Sequence, residues 1–109
     1  MDVKTAKQVV IAQADTTAAD SFLDRLQQQQ PPIPGQVTSL LLALKTLAED
    51  LKGATQIERS LVYALHQLAY EGRQHYERGK QARVEWPPLL DADLERIAIA
   101  TAKIFKGEA

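Results

Sequence analysis

The sequence predicts an all-α protein, folded as one antiparallel up-down bundle of four to five helices over residues 1–109. Three observations carry that prediction. Apolar residues recur at three- and four-residue spacings through five segments, the mark of helices with one buried stripe. No segment alternates apolar and polar residues with β-branched enrichment, so no sheet is expected. Proline and glycine punctuate the periodic segments, and short connections between the third, fourth and fifth favour antiparallel neighbours.

The first helix is expected over Val3–Ala14, with Val3, Ala6, Val10 and Ala14 in line and Val9 and Ile11 widening the stripe. Asp15-Thr16-Thr17 then offers a break and a new N-cap. The second helix is short, about Ala18 to Gln29, with Phe22, Leu23 and Leu26 on its apolar side. Pro31-Pro32-Ile33-Pro34-Gly35 stops it, since proline fixes φ and turns the preceding residue away from helix. The third helix runs from Gly35 or Gln36 to Lys52 on a seam of Val37, Leu40/Leu41, Leu44, Leu47/Ala48 and Leu51, with Gly53 as its C′ residue.

The fourth helix is expected from Thr55 to Lys80. Thr55-Gln56-Ile57-Glu58 fits a capping box, in which each end side chain satisfies the other's backbone amide. Its seam is Ile57, Leu61, Ala64/Leu65, Leu68, Gly72, His75/Tyr76 and Gly79. A loop from Gln81 to Leu90 contains Trp86-Pro87-Pro88. The fifth helix is expected from Asp91, read as its cap, to Lys106, with Leu94, Ile97/Ala98, Thr101 and Ile104/Phe105 inside. Gly107 ends it.

The 109 residues suit one domain and one core. With no cysteine, disulfides, thiolate zinc sites and cysteine nucleophiles drop out. A net charge of −1 provides no field to attract nucleic acid. The start, MDVKTAKQVV, lacks the basic and apolar pattern of a secretory signal. The longest apolar run, Leu40–Leu44, is far short of a membrane span. A cytoplasmic protein without membrane insertion is the expectation.

No phosphate-cradling loop, dinucleotide fingerprint or nucleophile elbow occurs, so the sequence predicts no enzyme and no cofactor. His66 and His75 are nine residues apart, which puts them on opposite sides of one helix and predicts no metal site. Binding is the remaining expectation. Arg59, Tyr63, His66, Tyr70, Arg73 and Glu77 share one helical face. That face either packs on neighbours, with tyrosine giving an apolar body and a wet tip, or forms an exposed patch with the composition of an interface hot spot. Trp86 either anchors its loop or meets a partner. Tyr63, His66, Tyr70, Arg73 and Trp86 are therefore the candidate partner-binding residues, for another protein or a second copy of the chain. The alternative function is a small-molecule or pigment-binding bundle. It would use a groove at Gly72, His75, Tyr76 and Gly79, because glycine on a buried seam permits close approach of a ligand or another backbone.

Two stretches also carry a resemblance. Pro31-Pro32-Ile33-Pro34-Gly35-Gln36-Val37-Thr38 with the leucine-rich helix after it, and Trp86-Pro87-Pro88-Leu89-Leu90 with the Leu94–Ile97–Phe105 helix, resemble a family of small cyanobacterial proteins. The likeness covers most of the chain. It implies a photosynthetic, cytoplasmic setting and supplies no catalytic residues. Some members are called dethiobiotin synthetases, an activity that needs a phosphate-binding loop and a larger α/β fold, neither of which this sequence has.

Overall fold

The computed structural model describes residues 1–108 and is all-helical, with no strand among them. Helix α1 is Val3–Ala14, α2 is Phe22–Gln27, α3 is Gln36–Asp50, α4 is Arg59–His66, α5 is Gly72–Gln81 and α6 is Leu90–Lys106. A π segment, Gln67–Glu71, joins α4 to α5 without a break, so residues 59–81 form one rod. This rod is the fourth helix expected from the sequence.

Each helix start shows which local chemistry prevailed. The Asp2 carboxylate accepts from the Thr5 amide at 2.7 Å and caps α1, and that bond holds its pKa below the usual carboxylate value. Helix α2 starts at Phe22, four residues later than expected. Asp15 spends its carboxylate on the Thr17 amide and hydroxyl, making a local turn instead of a cap. Ser21 caps α2 by accepting from the Asp24 amide. The expected capping box at Thr55–Glu58 does not form. Glu58 is the N-cap of α4 without a side-chain cap bond, and its carboxylate pairs with Lys7 of α1 at 3.3 Å. Asp91 is not the cap of α6 either. The helix begins one residue earlier, burying Leu90, and the Asp91 carboxylate is turned to Arg73.

The body is 42 × 23 × 22 Å in extent, and its buried cluster draws on α1, α2, α3, α4, the π segment and α6. Phe22, Leu23, Leu26, Leu40, Leu44, Leu47, Leu61, Leu65, Leu68, Leu90, Ile97 and Ile104 are fully buried. Truncating any of these leucines to alanine costs about 2–5 kcal/mol. Helix α1 packs on α3 and α4, α3 on α1 and α6, α2 on α1 and α5, and the π segment on α6.

The short connection at residues 51–58 does not make α3 and α4 neighbours, contrary to the loop-length expectation: the main partners of α3 are α1 and α6. Helices α3 and α6 lie with like ends together, since the Gly53 amide after α3 donates to the Gly107 carbonyl after α6 at 3.1 Å. Both glycines hold left-handed φ values, +75° and +79°, as their expected C-terminal roles require.

Candidate functional site

The rod of residues 59–81 turns two unlike faces to its surroundings. Its inner face carries Leu61, Leu65, Leu68, Gly72, His75 and Gly79, all buried. Its outer face carries Tyr63, His66 and Tyr70, all exposed, with Tyr63 at 64% and Tyr70 at 51%. The reading in which both faces pack on neighbours is thereby excluded. The His66 and Tyr70 rings stack at a centroid distance of 5.4 Å and an interplanar angle of 9°. Gln67 donates its side-chain amide to the Tyr63 hydroxyl at 3.0 Å. These contacts hold rings in place that would otherwise sample several rotamers, which lowers the entropy cost of using them in an interface.

Tyr63 also borders a shallow groove of about 360 Å³ between α1 and α4. Ile11, Ala14 and Ala64 give the groove apolar surface, while Asp15, Thr16, Ser60 and Gln67 supply polar atoms. Sequence reasoning missed Ile11, Ala14 and Gln67 as parts of this face. Ile11 was legible as an apolar residue off the main stripe of α1, but its nearness to Tyr63 depends on how α1 and α4 pack.

Arg73 does not join the exposed patch. Its guanidinium reaches Asp91 Oδ1 at 2.5 Å and the Asp91 carbonyl at 3.3 Å, with Glu77 and Glu95 each 3.9 Å away. It therefore pins α5 to the start of α6. The same guanidinium lies over the Tyr76 ring, 5.3 Å from its centroid.

Trp86 is placed as an anchor. Its Nε1 donates to the Tyr76 carbonyl at 3.1 Å, and its ring stacks on Tyr76 at 6.0 Å. The indole lies so close to Gly79 that a Cβ there would sit 2.7 Å from both Cε2 and Nε1. The groove expected at Gly72, His75, Tyr76 and Gly79 is thus filled by the protein itself. Trp86 occupies the Gly79 end, and Leu94, Leu23 and Phe22 close over Gly72. The glycines do admit close approach, but of this chain's own side chains.

His75 is 9% exposed, and its Nδ1 lies 2.6 Å from Arg78 Nη2. A guanidinium only donates, so Nδ1 accepts and the neutral ring carries its proton on Nε2. Burial lowers the His75 pKa from its ordinary 6.5; Arg78 lowers it further, and Glu71 opposes both. His66, on the outer face, shares none of these partners. Among the described residues, no three histidine, aspartate or glutamate side chains gather in a way that could hold a metal ion.

These residues define an all-helical domain with one ordered aromatic face, while its tryptophan loop is folded back onto its own glycine. Comparisons with protein-family models, with curated proteins and with solved structures find no match for the chain. No helix among the described residues is long and apolar enough to cross a membrane.

Proposed function

We infer that this chain is a protein-interaction domain that acts by binding, without catalysis, through the outer face formed by Tyr63, His66 and Tyr70. The observation that carries the reading is the pair of tyrosines more than half exposed on a rigid helix, with His66 stacked on one and Gln67 bonded to the other. Tyrosine is enriched among residues that dominate interface energies, because it buries a large ring at a small entropy cost. The adjoining α1–α4 groove offers apolar surface to receive a partner side chain. Arg73 and Trp86, held by their own contacts, support the rod and stand outside this proposed contact surface.

The proposed partner is a protein, with a homodimer as one form of it. Nucleic acid is disfavoured by the net charge of −1. A cytoplasmic setting, in a photosynthetic cell, is proposed from the resemblance described above. The chain path proposed for the bundle alternates up and down through α1, α3, the 59–81 rod and α6, with α3 and the rod across the bundle from each other.

The test is a Tyr63→Ala/Tyr70→Ala variant, compared with the wild type by light scattering and by affinity capture from the native cell. Exposed substitutions of this kind change stability by about 0.5 kcal/mol or less, so the variant should fold. A hot-spot tyrosine costs about 2 kcal/mol on truncation, or roughly thirtyfold in affinity. The double variant should therefore lose the captured protein or the dimer mass. An unchanged mass together with an unchanged set of captured proteins would remove this face from consideration.

A further inference from the structure

A second surface lies apart from the tyrosine face. Helices α3 and α6 lie with like ends together and leave a groove of about 560 Å³ between them. Its apolar floor is Leu41, Leu44, Ala48, Ile99 and Ala100, with Ile99 49% exposed. Ala48 and Ala100 put small side chains on the two walls, so a third element can come close to both backbones. The rim carries Lys45, Arg96 and Lys103 against a single acid, Glu49. Among the described residues, Lys45 and Lys103 take part in no ion pair, and Arg96 is held by Asp93 at 2.8 Å.

The spacing of these cations decides what kind of occupant fits. Arg96 and Lys103 are seven residues apart on α6, about 10 Å along the axis at 1.5 Å per residue. Lys45 stands on the opposite wall. A single-headed amphiphile would need its cations gathered at one end of an apolar trough. Cations spread along both walls match an extended partner with acids on both flanks of an apolar stripe. That is the pattern of an amphipathic helix seated in a groove.

We propose that the α3–α6 groove is a docking site for an acidic amphipathic helix of another protein. The helix lays its apolar stripe on Leu41, Ile99 and Ala100 and pairs its flanking carboxylates with Lys45, Lys103 and Arg96. The site is independent of the tyrosine face.

The probe is a fluorescein-labelled peptide of about 15 residues, long enough to be helical, with leucine at helical spacing and glutamate on both flanks. A second peptide carries lysine in place of every glutamate. Anisotropy titrations should give the glutamate peptide at least about a tenfold advantage, shrinking as salt rises. In Lys45→Glu/Lys103→Glu the preference should reverse, which a loss of folding could not produce. Ala100→Phe, which fills the floor, should abolish binding of both peptides at an unchanged helical circular dichroism signal. Tyr63→Ala/Tyr70→Ala should leave peptide binding intact, which separates this site from the tyrosine face. Equal affinity for the two peptides would overturn the proposal. So would a protein mass that doubles with concentration and returns to the monomer value in Lys45→Glu/Lys103→Glu, since the groove would then belong to a second copy.

Discussion

In a Gly79→Ala variant the added Cβ would fall 2.7 Å from Cε2 and Nε1 of Trp86, so the indole and the helix cannot both keep their places. Helix propensity alone favours the change by up to about 1 kcal/mol. Against this stand three losses. The Nε1 bond to the Tyr76 carbonyl is worth about 1 kcal/mol. The Tyr76 stack is worth about 1 kcal/mol beyond its area. Re-exposing part of the indole costs roughly 1 kcal/mol more at about 25 cal/mol per Å². The net is a destabilisation of about 2 kcal/mol, or a drop of about 8 °C in melting temperature for a domain of this size. Trp86 is the only tryptophan, so its emission reports the displacement directly, as a red shift before unfolding begins. In a double-mutant cycle, Gly79→Ala should become neutral or stabilising once Trp86→Ala has removed the ring. If Gly79→Ala melts at or above the wild-type temperature with tryptophan emission unmoved, the close packing of indole on glycine is wrong.

Three further outcomes follow from single contacts. The folded pKa of His75 lies below 6.5, so between that pKa and 6.5 the unfolded chain binds more protons; the His75 contribution to stability is complete above pH 6.5 and declines as pH falls. Urea unfolding at pH 7.5 and 5.5 should show this decline in the wild type and a smaller one in His75→Gln. Thr101 is 3% exposed, and its hydroxyl has no hydrogen-bond partner among the described residues. Thr101→Val keeps the shape and removes the unpaired group, so it should raise the unfolding free energy by about 1 kcal/mol, seen as a higher urea midpoint; a lower midpoint would mean that the hydroxyl is satisfied. The Gln13 side-chain carbonyl accepts from the Phe22 amide at 2.7 Å and from Gln36 Nε2 at 2.9 Å, tying the end of α1 to the starts of α2 and α3. Gln13→Ala should cost about 1–3 kcal/mol and speed hydrogen exchange of the Phe22 amide; protection equal to the wild type would show that the tie is dispensable.

Stripe periodicity made the helices legible, because burial of one face is a local property of spacing. Val3–Ala14 was readable to the residue, and α3 and α6 to within a residue or two of their ends. Caps were less legible, since the polar side chains involved had several bonds open to them. Glu58 went to Lys7, and Asp91 to Arg73, both distant in sequence. Helix ends without glycine were also hidden. Gln29 and Arg83 take left-handed φ values of +60° and +63°, and the amides after them bond back to the Arg25 and Gly79 carbonyls. Such stops do not show in composition, because they depend on where the next segment must go. The candidate site was half legible. Tyr63, His66 and Tyr70 share a face by arithmetic alone, whereas the destinations of Arg73 and Trp86 required α6 and the loop to be in place.

The π segment shows why that arithmetic could not go further. The buried positions Leu61, Leu65, Leu68, Gly72, His75 and Gly79 have spacings of four and three, so they read as one regular helix. Yet the Gly72 amide donates to the Gln67 carbonyl, one residue further back than an α-helix allows. A turn with an extra residue rotates everything beyond it around the rod. This is what the packing requires, since α4 lies against α1 while α5 lies against α2 and α6. The partner changes within the rod, and the π turn sits where it changes. Two residues of that turn, Gln67 and Tyr70, belong to the exposed aromatic face. The backbone irregularity re-aims the inner seam towards new neighbours, while the i,i+4 pairs Tyr63–Gln67 and His66–Tyr70 stay side by side on the outer face. π turns are often found at functional sites. In this chain the physical reason is that a helix changing partners has a turn whose outer residues take no part in the core.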